Sequence, residues 1–369
     1  MTSLLGAGTI RIDVTVSRAL ACSVAVKANR PQGLTRMFVG RRPEEAPPLA
    51  GQVYSLCGFA QSVAARLAVL NAADMAMKVD ERIGSGAGLL AERIFETLRA
   101  LILHWPSPLP ASLGATAGRH LREALAASQE IIAAAKAGQI DRAHLAAAAA
   151  RLSAAASALG IPSQGDTPLP ASACAAMLQD IGDDRVFNGR RPDPLTINDD
   201  PEVIARLCHE PGYASLPHLQ GRVAETGAYA RLAADDVEAS HLVQRLLARI
   251  NDVSLCLKQL TALAATGKYD EASLACGGAT PGAGGYGAVE CARGRLYHQA
   301  EIGGDGRLSS YRILAPTEWN FHPAGPFVET LLSSPVGTDE AAVRSVSRLA
   351  VLFDPCVALE VNVREAAHA

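Results

Sequence analysis

The chain has 369 residues, 49% hydrophobic and 19% charged, enough to bury a large core as one big domain or two of ordinary size. Its net charge is −3 with Lys and Arg scattered along the sequence, which excludes the electrostatic footprint of a nucleic-acid or anionic-membrane binder. Only 4% of residues are aromatic while alanine is abundant, so a mainly α (α+β) fold with Leu, Ala and Val between close-packed helices is expected. Met1-Thr2-Ser3-Leu4-Leu5-Gly6 carries no basic n-region or cleavable apolar core, and runs such as 98–103 are too short to span a bilayer. A cytoplasmic location follows as an expectation. Eight cysteines at irregular spacing, without a C-x-x-C pair, read as free thiols in a reducing compartment.

In chain order, residues 10–16 and 21–26 alternate apolar and polar positions around Ser17-Arg18-Ala19-Leu20 and predict a β-hairpin over 8–28. Pro43-Glu44-Glu45 suits a helix start. Val63, Leu67, Leu70 and Met77 recur at helical spacing over 61–82, which places Cys57 and Gly58 at a helix N-terminus, a position that favours a thiolate. Residues 89–104 repeat the helical pattern until Trp105-Pro106-Ser107-Pro108-Leu109-Pro110 stops it. The alanine-rich stretch 121–159, interrupted at Gly138-Gln139-Ile140-Asp141, reads as an antiparallel helical pair. Residues 163–170 and 188–201 read as surface loops, and Asp235-Asp236 as the N-cap of a long helix reaching about Ala265. This completes a helical core over 44–270.

Thr280-Pro281-Gly282-Ala283-Gly284-Gly285-Tyr286-Gly287 is glycine-dense without a phosphate-cradle pattern and reads as a flexible loop. Residues 288–302 and 308–314 flank Gly303-Gly304-Asp305-Gly306 and predict a second hairpin within 287–315. Thr338-Asp339-Glu340 caps a last helix, which Pro355 ends at Cys356. On the residues alone, Cys57 and Cys356 read more often as small buried apolar residues than as ligands. His298, His322, His104 and His209 read as core or surface histidines, and Glu290 as a structural ion-pair partner.

Taken together, these strings resemble the large subunit of nickel–iron hydrogenases. The resemblance rests on Leu56-Cys57-Gly58-Phe59-Ala60, Gly40-Arg41-Arg42-Pro43-Glu44-Glu45-Ala46, Glu225-Thr226-Gly227-Ala228-Tyr229-Ala230-Arg231, Glu290-Cys291-Ala292-Arg293-Gly294, Pro316-Thr317-Glu318-Trp319-Asn320 and Asp354-Pro355-Cys356. It implies one large-subunit-like domain over 1–369, a helical bundle with peripheral β-hairpins. Active large subunits carry C-x-x-C twice, four thiolates holding nickel and two of them bridging to an iron with cyanide and carbonyl ligands. Here Ala60 and Leu359 stand at the second cysteine of each pair, and Asn362 replaces the final His. Thr35 and Gln32 fall where the family has a proton-relaying Glu and an Arg. Neither Ala nor Leu ligates a metal.

The iron-facing residues are retained. By resemblance, Arg293 and Thr317, the latter after Pro316, would hydrogen-bond the cyanides, Asp354 would orient a thiolate or Arg293, and Cys57 and Cys356 would hold the iron. This pattern is similar to the hydrogenase expression/formation proteins of the HupK (HoxV) type, large-subunit look-alikes. It implies a non-enzymatic scaffold that transiently carries iron with cyanide and carbonyl ligands, and no nickel. Its partners would be the hydrogenase large subunit precursor and maturation chaperones, with no nucleic acid and no membrane. A metal-free adaptor that mimics the large-subunit surface is the rival expectation. An atypical redox enzyme is a third, opposed by the missing ligands.

Overall fold

In the computed structural model, residues 8–29, 33–54, 56–182, 184–232 and 240–366 are described. Strand β1 (Thr9–Ser17) alternates strictly and buries Ile10, Ile12, Val14 and Val16. It turns through Arg18 and Ala19, at φ 49° and 63°, into antiparallel β2 (Leu20–Asn29). This is the expected hairpin. Its sheet has a third strand that the sequence reading did not include, β7 (Ala358–Glu365), which runs parallel to β1 with Val361 opposite Ile12. Leu359, Val361 and Val363 pack on the core while Glu360, Asn362 and Arg364 face out, a period-two signal that is present in the sequence.

The helices are α1 (Ala46–Val53), α2 (Gly58–Ala72), α3 (Val79–His104), α4 (Ala111–Lys136), α5 (Arg142–Leu159), α6 (Ala173–Ile181), α7 (Asp200–His209), α8 (Ala228–Leu232), α9 (His241–Thr266), α10 (Glu271–Leu274), α11 (Pro316–Asn320), α12 (Pro326–Leu331) and α13 (Asp339–Phe353). The expected helix over 61–82 is two helices. Asp74 adopts a left-handed conformation at φ 52° and Met75 N–H donates to Leu70 C=O, the bond that closes a helix C-terminus. The alanine-rich segment forms the predicted pair α4 and α5, broken where expected. Asp141 caps α5 by accepting from His144 N–H. Small side chains let α3, α4, α5 and α9 pack together closely. Asp235-Asp236 lies outside the described residues, and the cap of α9 is Ser240, which accepts from Val243 N–H.

Strands β3 (Ala275–Thr280), β4 (Gly284–Cys291), β5 (Gly294–Ile302) and β6 (Leu308–Leu314) form an antiparallel sheet in the order β3-β4-β5-β6. The glycine-dense stretch is therefore strand and turn, not a flexible loop. Helix α2 crosses β4 so closely that a Cβ on Gly285 would lie 2.1 Å from Ala72 N, and one on Gly287 2.3 Å from Ala64 O. These glycines are the contact surface of the sheet. Residues 288–302 are two strands, because the chain reverses at Ala292 and Arg293. Pro316-Thr317-Glu318-Trp319-Asn320 is a short helix, α11. The loop 188–201 also differs from its surface reading. Asp200 is buried and bonds Arg295 and Tyr297.

Candidate functional site

Four distant segments meet at Arg293. It sits at the β4–β5 reversal, buried to 3% exposure, and presents its guanidinium to groups from α2, α3 and the turn after α13. Nη1 donates to Cys57 Sγ at 2.9 Å, and both Nη atoms reach Glu96 Oε2 at 3.3 Å. Nη2 lies 3.5 Å from Asp354 Oδ1. Asp354, Cys57, Glu96 and Cys356 all raise the guanidinium's pKa, against the burial that opposes its charge. Its Nε is buried without a hydrogen-bond partner among the described residues, an unfilled donor in the middle of the site.

Each thiol is held by a local backbone device. Cys57 occupies the position before α2 in a left-handed conformation, φ 57°. Cys356 follows Asp354, which is left-handed at φ 50° and ends α13, so the thiol lies between a helix that has stopped and β7 that has not begun. The Thr317 hydroxyl donates to Cys356 Sγ at 3.3 Å and accepts from Cys356 N–H at 3.4 Å. Pro316 is the first residue of that short helix and presets its φ. Asp354 accepts from Arg249 Nη2 at 3.0 Å, and Arg249 Nη1 donates to Val351 C=O, which ties the turn to α9. Arg245, one turn away on α9, stacks on the rings of Phe353 and Tyr229.

The expected helix-terminus stabilisation of a Cys57 thiolate does not operate. The free amides of α2 are taken by Glu92, whose oxygens accept from Phe59 N–H at 2.7 Å and Ala60 N–H at 2.8 Å. A carboxylate from α3 therefore fills the position the sequence reading gave to sulfur. Cys57 is pushed well above the ordinary thiol range, first by a hydrogen bond to Cys291 and then by burial. Cys291 is held below that range by the same bond, with the Arg293 backbone N–H and charge assisting against burial. Cys291 ends β4 two residues before Arg293 and is buried.

Glu92 and Glu96 were also missed, although a signal was present. Gly88, Glu92, Glu96 and Ala100 recur every four residues, placing two acids on one small-residue stripe of a helix. Burial pushes the Glu92 carboxyl up to about 7, against the two amide bonds. Between the ordinary 4.5 and that value the folded chain binds more protons than the unfolded one, so this group's contribution to stability falls as pH rises through the window. The difference between wild type and Glu92→Gln should change by roughly 3 kcal/mol between about pH 4 and pH 8, in favour of the variant at the higher pH. Urea denaturation at both ends of the range checks it. A constant difference would mean that Glu92 ionises normally.

Among the other candidates, His298 is a satisfied core residue, bonded to Tyr311 Oη and Gln61 Oε1, both at 2.7 Å. Glu290 pairs with Arg231 and Arg295 as expected. At the positions that lack ligands, Ala60 is fully buried, Leu359 pairs with Ile10, and Asn362 bonds Asp13 at 3.1 Å. Thr35 lies in a short 3-10 turn, and Gln32 is outside the described residues. A void of ≈ 20 Å³ adjoins Arg293, Asp354 and Asn320. Beyond the Asp354–Pro355 turn lies a larger cavity, ≈ 380 Å³, lined by His104, Val351, Val357 and Leu359 among others.

A family model described as nickel-dependent hydrogenase matches residues 215–362, the part that carries Arg293, Thr317 and Cys356. Over 370 aligned positions, all of both chains, the sequence is 79% identical to the hydrogenase expression/formation protein HupK of Rhizobium leguminosarum bv. viciae. The chain belongs to the HupK family of hydrogenase expression/formation proteins. The HupK of Bradyrhizobium diazoefficiens is 33% identical, covering 97% of this chain and 98% of that protein. HoxV of Cupriavidus necator is 31% identical, covering 92% and 93%. The nickel–iron–selenium hydrogenase of Desulfomicrobium baculatum superposes with a TM-score of 0.65 at 16% identity, over 93% of this chain and 95% of that one. The family thus has the hydrogenase large-subunit fold, and a role in hydrogenase maturation goes with its name. Among the described residues no helix is long and apolar enough to cross a membrane.

Proposed function

We propose that the chain is a cytoplasmic assembly scaffold, not an enzyme. It would hold an iron–dicyano–carbonyl unit as cargo through Cys57 and Cys356 and pass it to the hydrogenase large subunit precursor, in company with maturation chaperones. The observation that carries this reading is the buried, unpartnered Nε of Arg293, a cationic donor beside Cys57 that suits an anionic acceptor such as cyanide nitrogen. Soft thiolates suit low-spin iron. A unit that brings three diatomic ligands asks little of the protein, and among the described residues no group of three or more His, Cys, Asp or Glu is arranged to hold a bare metal ion. Asp354 and Arg249 would set the position of the Cys356 turn, and Thr317 offers its hydroxyl to the Cys356 sulfur or to a cyanide.

Infrared spectroscopy of protein produced together with the maturation machinery tests this. Carbonyl and cyanide stretching bands are expected in the wild type and lost in Cys57→Ser and in Cys356→Ser, with no nickel by elemental analysis and no hydrogen turnover. Bands that persist in both variants would place the iron elsewhere. A wild type without bands would leave the metal-free adaptor reading, and stoichiometric nickel with turnover would falsify the scaffold outright.

A further inference from the structure

Strand β7 is an edge. Its sheet runs β2-β1-β7, and among the described residues no strand pairs with the far side of β7. Ala366 N–H donates to Val16 C=O, so by the alternation of a strand the even-numbered residues of β7 turn their amides to β1. Leu359, Val361, Val363 and Glu365 therefore turn theirs outward. These open N–H and C=O groups stand beside unfilled apolar space. The ≈ 380 Å³ cavity past the Pro355 turn reaches Leu359 and Val361, and it shares Val343 and Ser347 with a groove of ≈ 590 Å³ that reaches Val363. Val343 of α13 is 38% exposed there. The sheet stops one strand short of covering α13.

Charged side chains on an edge ordinarily keep other strands away. On β7 they are self-complementary. With a second β7 laid antiparallel so that Asn362 faces the partner's Asn362, Glu360 falls opposite the partner's Arg364 and Arg364 opposite the partner's Glu360. In the same register Val361 and Val363 exchange hydrogen bonds with the partner's Val363 and the partner's Val361, through the amides that point outward. Glu360 and Arg364 are exposed, and Arg364 bonds the uncharged Thr15 Oγ1, at 3.3 Å. Centring the pair on residue 360 or 364 instead would set Glu360 on the partner's Glu360 or Arg364 on the partner's Arg364. We propose that the chain forms a two-fold dimer by antiparallel pairing of β7 with β7, one continuous sheet in the order β2-β1-β7-β7-β1-β2. The partner's Val361 and the partner's Val363 then extend over the groove beside α13. The end of the partner strand lies beside Leu359, which lines the cavity next to the Cys356 turn. The pairing uses none of the thiols and stands apart from the carrier reading.

Sedimentation velocity on the reduced, full-length protein over a series of micromolar concentrations tests it, with a mass twice 38.4 kDa expected. Glu360→Arg sets like charges opposite each other at both ends of the pair, and so does Arg364→Glu. Each should weaken the dimer about tenfold or more, and the double variant Glu360→Arg with Arg364→Glu should restore it. Val363→Pro removes an outward N–H that β1 does not use, so the fold should hold, as circular dichroism checks, while the dimer is lost. A monomeric wild type would overturn the proposal and leave the edge to an extended segment of another protein. A dimer indifferent to Val363→Pro and to both single swaps would overturn it by placing the contact elsewhere. Failure of the double variant to recover what the single swaps lose would overturn it too, because only β7 facing β7 makes the two changes compensate.

Discussion

Arg293→Leu is expected to lower the unfolding free energy by about 3 kcal/mol, measured by chemical denaturation. The variant removes the cation shared by Glu96, Asp354 and the Cys57 sulfur in a region that water does not reach. Breaking a buried pair from one side costs ~3–5 kcal/mol, because the surviving charge stays desolvated. The lower end applies here, since Arg99 still holds Glu96 and Arg249 still holds Asp354. Arg293→Lys should recover only part of the loss, for it restores the charge without the planar fork that reaches three partners. A loss below about 1 kcal/mol would show that Arg99 and Arg249 suffice, and that Arg293 is retained for something other than the fold.

Gly285→Ala should be as costly. The added carbon would fall 2.1 Å from Ala72 N and 2.5 Å from both Ala68 O and Asn71 C, all of them backbone atoms of α2. No side chain can rotate out of the way. Either the helix lifts off the sheet or the strand bends, and about 3 kcal/mol is expected, at the upper end for overpacking. Gly304→Ala, at a turn where an added carbon meets nothing within 4 Å, should stay within about 0.5 kcal/mol and serves as the control. Equal stability of the two glycine variants would mean that α2 does not lie on β4 as described.

Much of this architecture was legible in the residues, for identifiable reasons. The β1–β2 hairpin, the alanine pair α4 and α5, and the last helix follow from periodicity and capping, which are local properties. Cys57, Cys356, Arg293 and Thr317 were legible only through resemblance, because nothing in their own neighbourhoods sets them apart. What escaped was long-range. Gly285 and Gly287 read as loop residues until α2 is seen lying on them, since close approach leaves no mark except the missing side chain. Glu92 looked like an ordinary helical acid until its two amide partners on α2 appeared. Asp200 read as part of a polar loop, and only Arg295 and Tyr297 on β5 give it a reason to be buried.

The parallel pairing of β7 with β1 also bears on the order of events during synthesis. Asp13 and Asn362, bonded across that ladder, are 349 residues apart. A ribosome makes β1 and β2 together, so that half of the sheet can form early, whereas β7 emerges only after the intervening bundle and the second sheet. Contacts of such separation form late, because the loop they close is long. Cys57 and Arg293 are therefore synthesised before the Cys356 turn, and the pairing of β7 with β1 fixes the strand that leaves that turn.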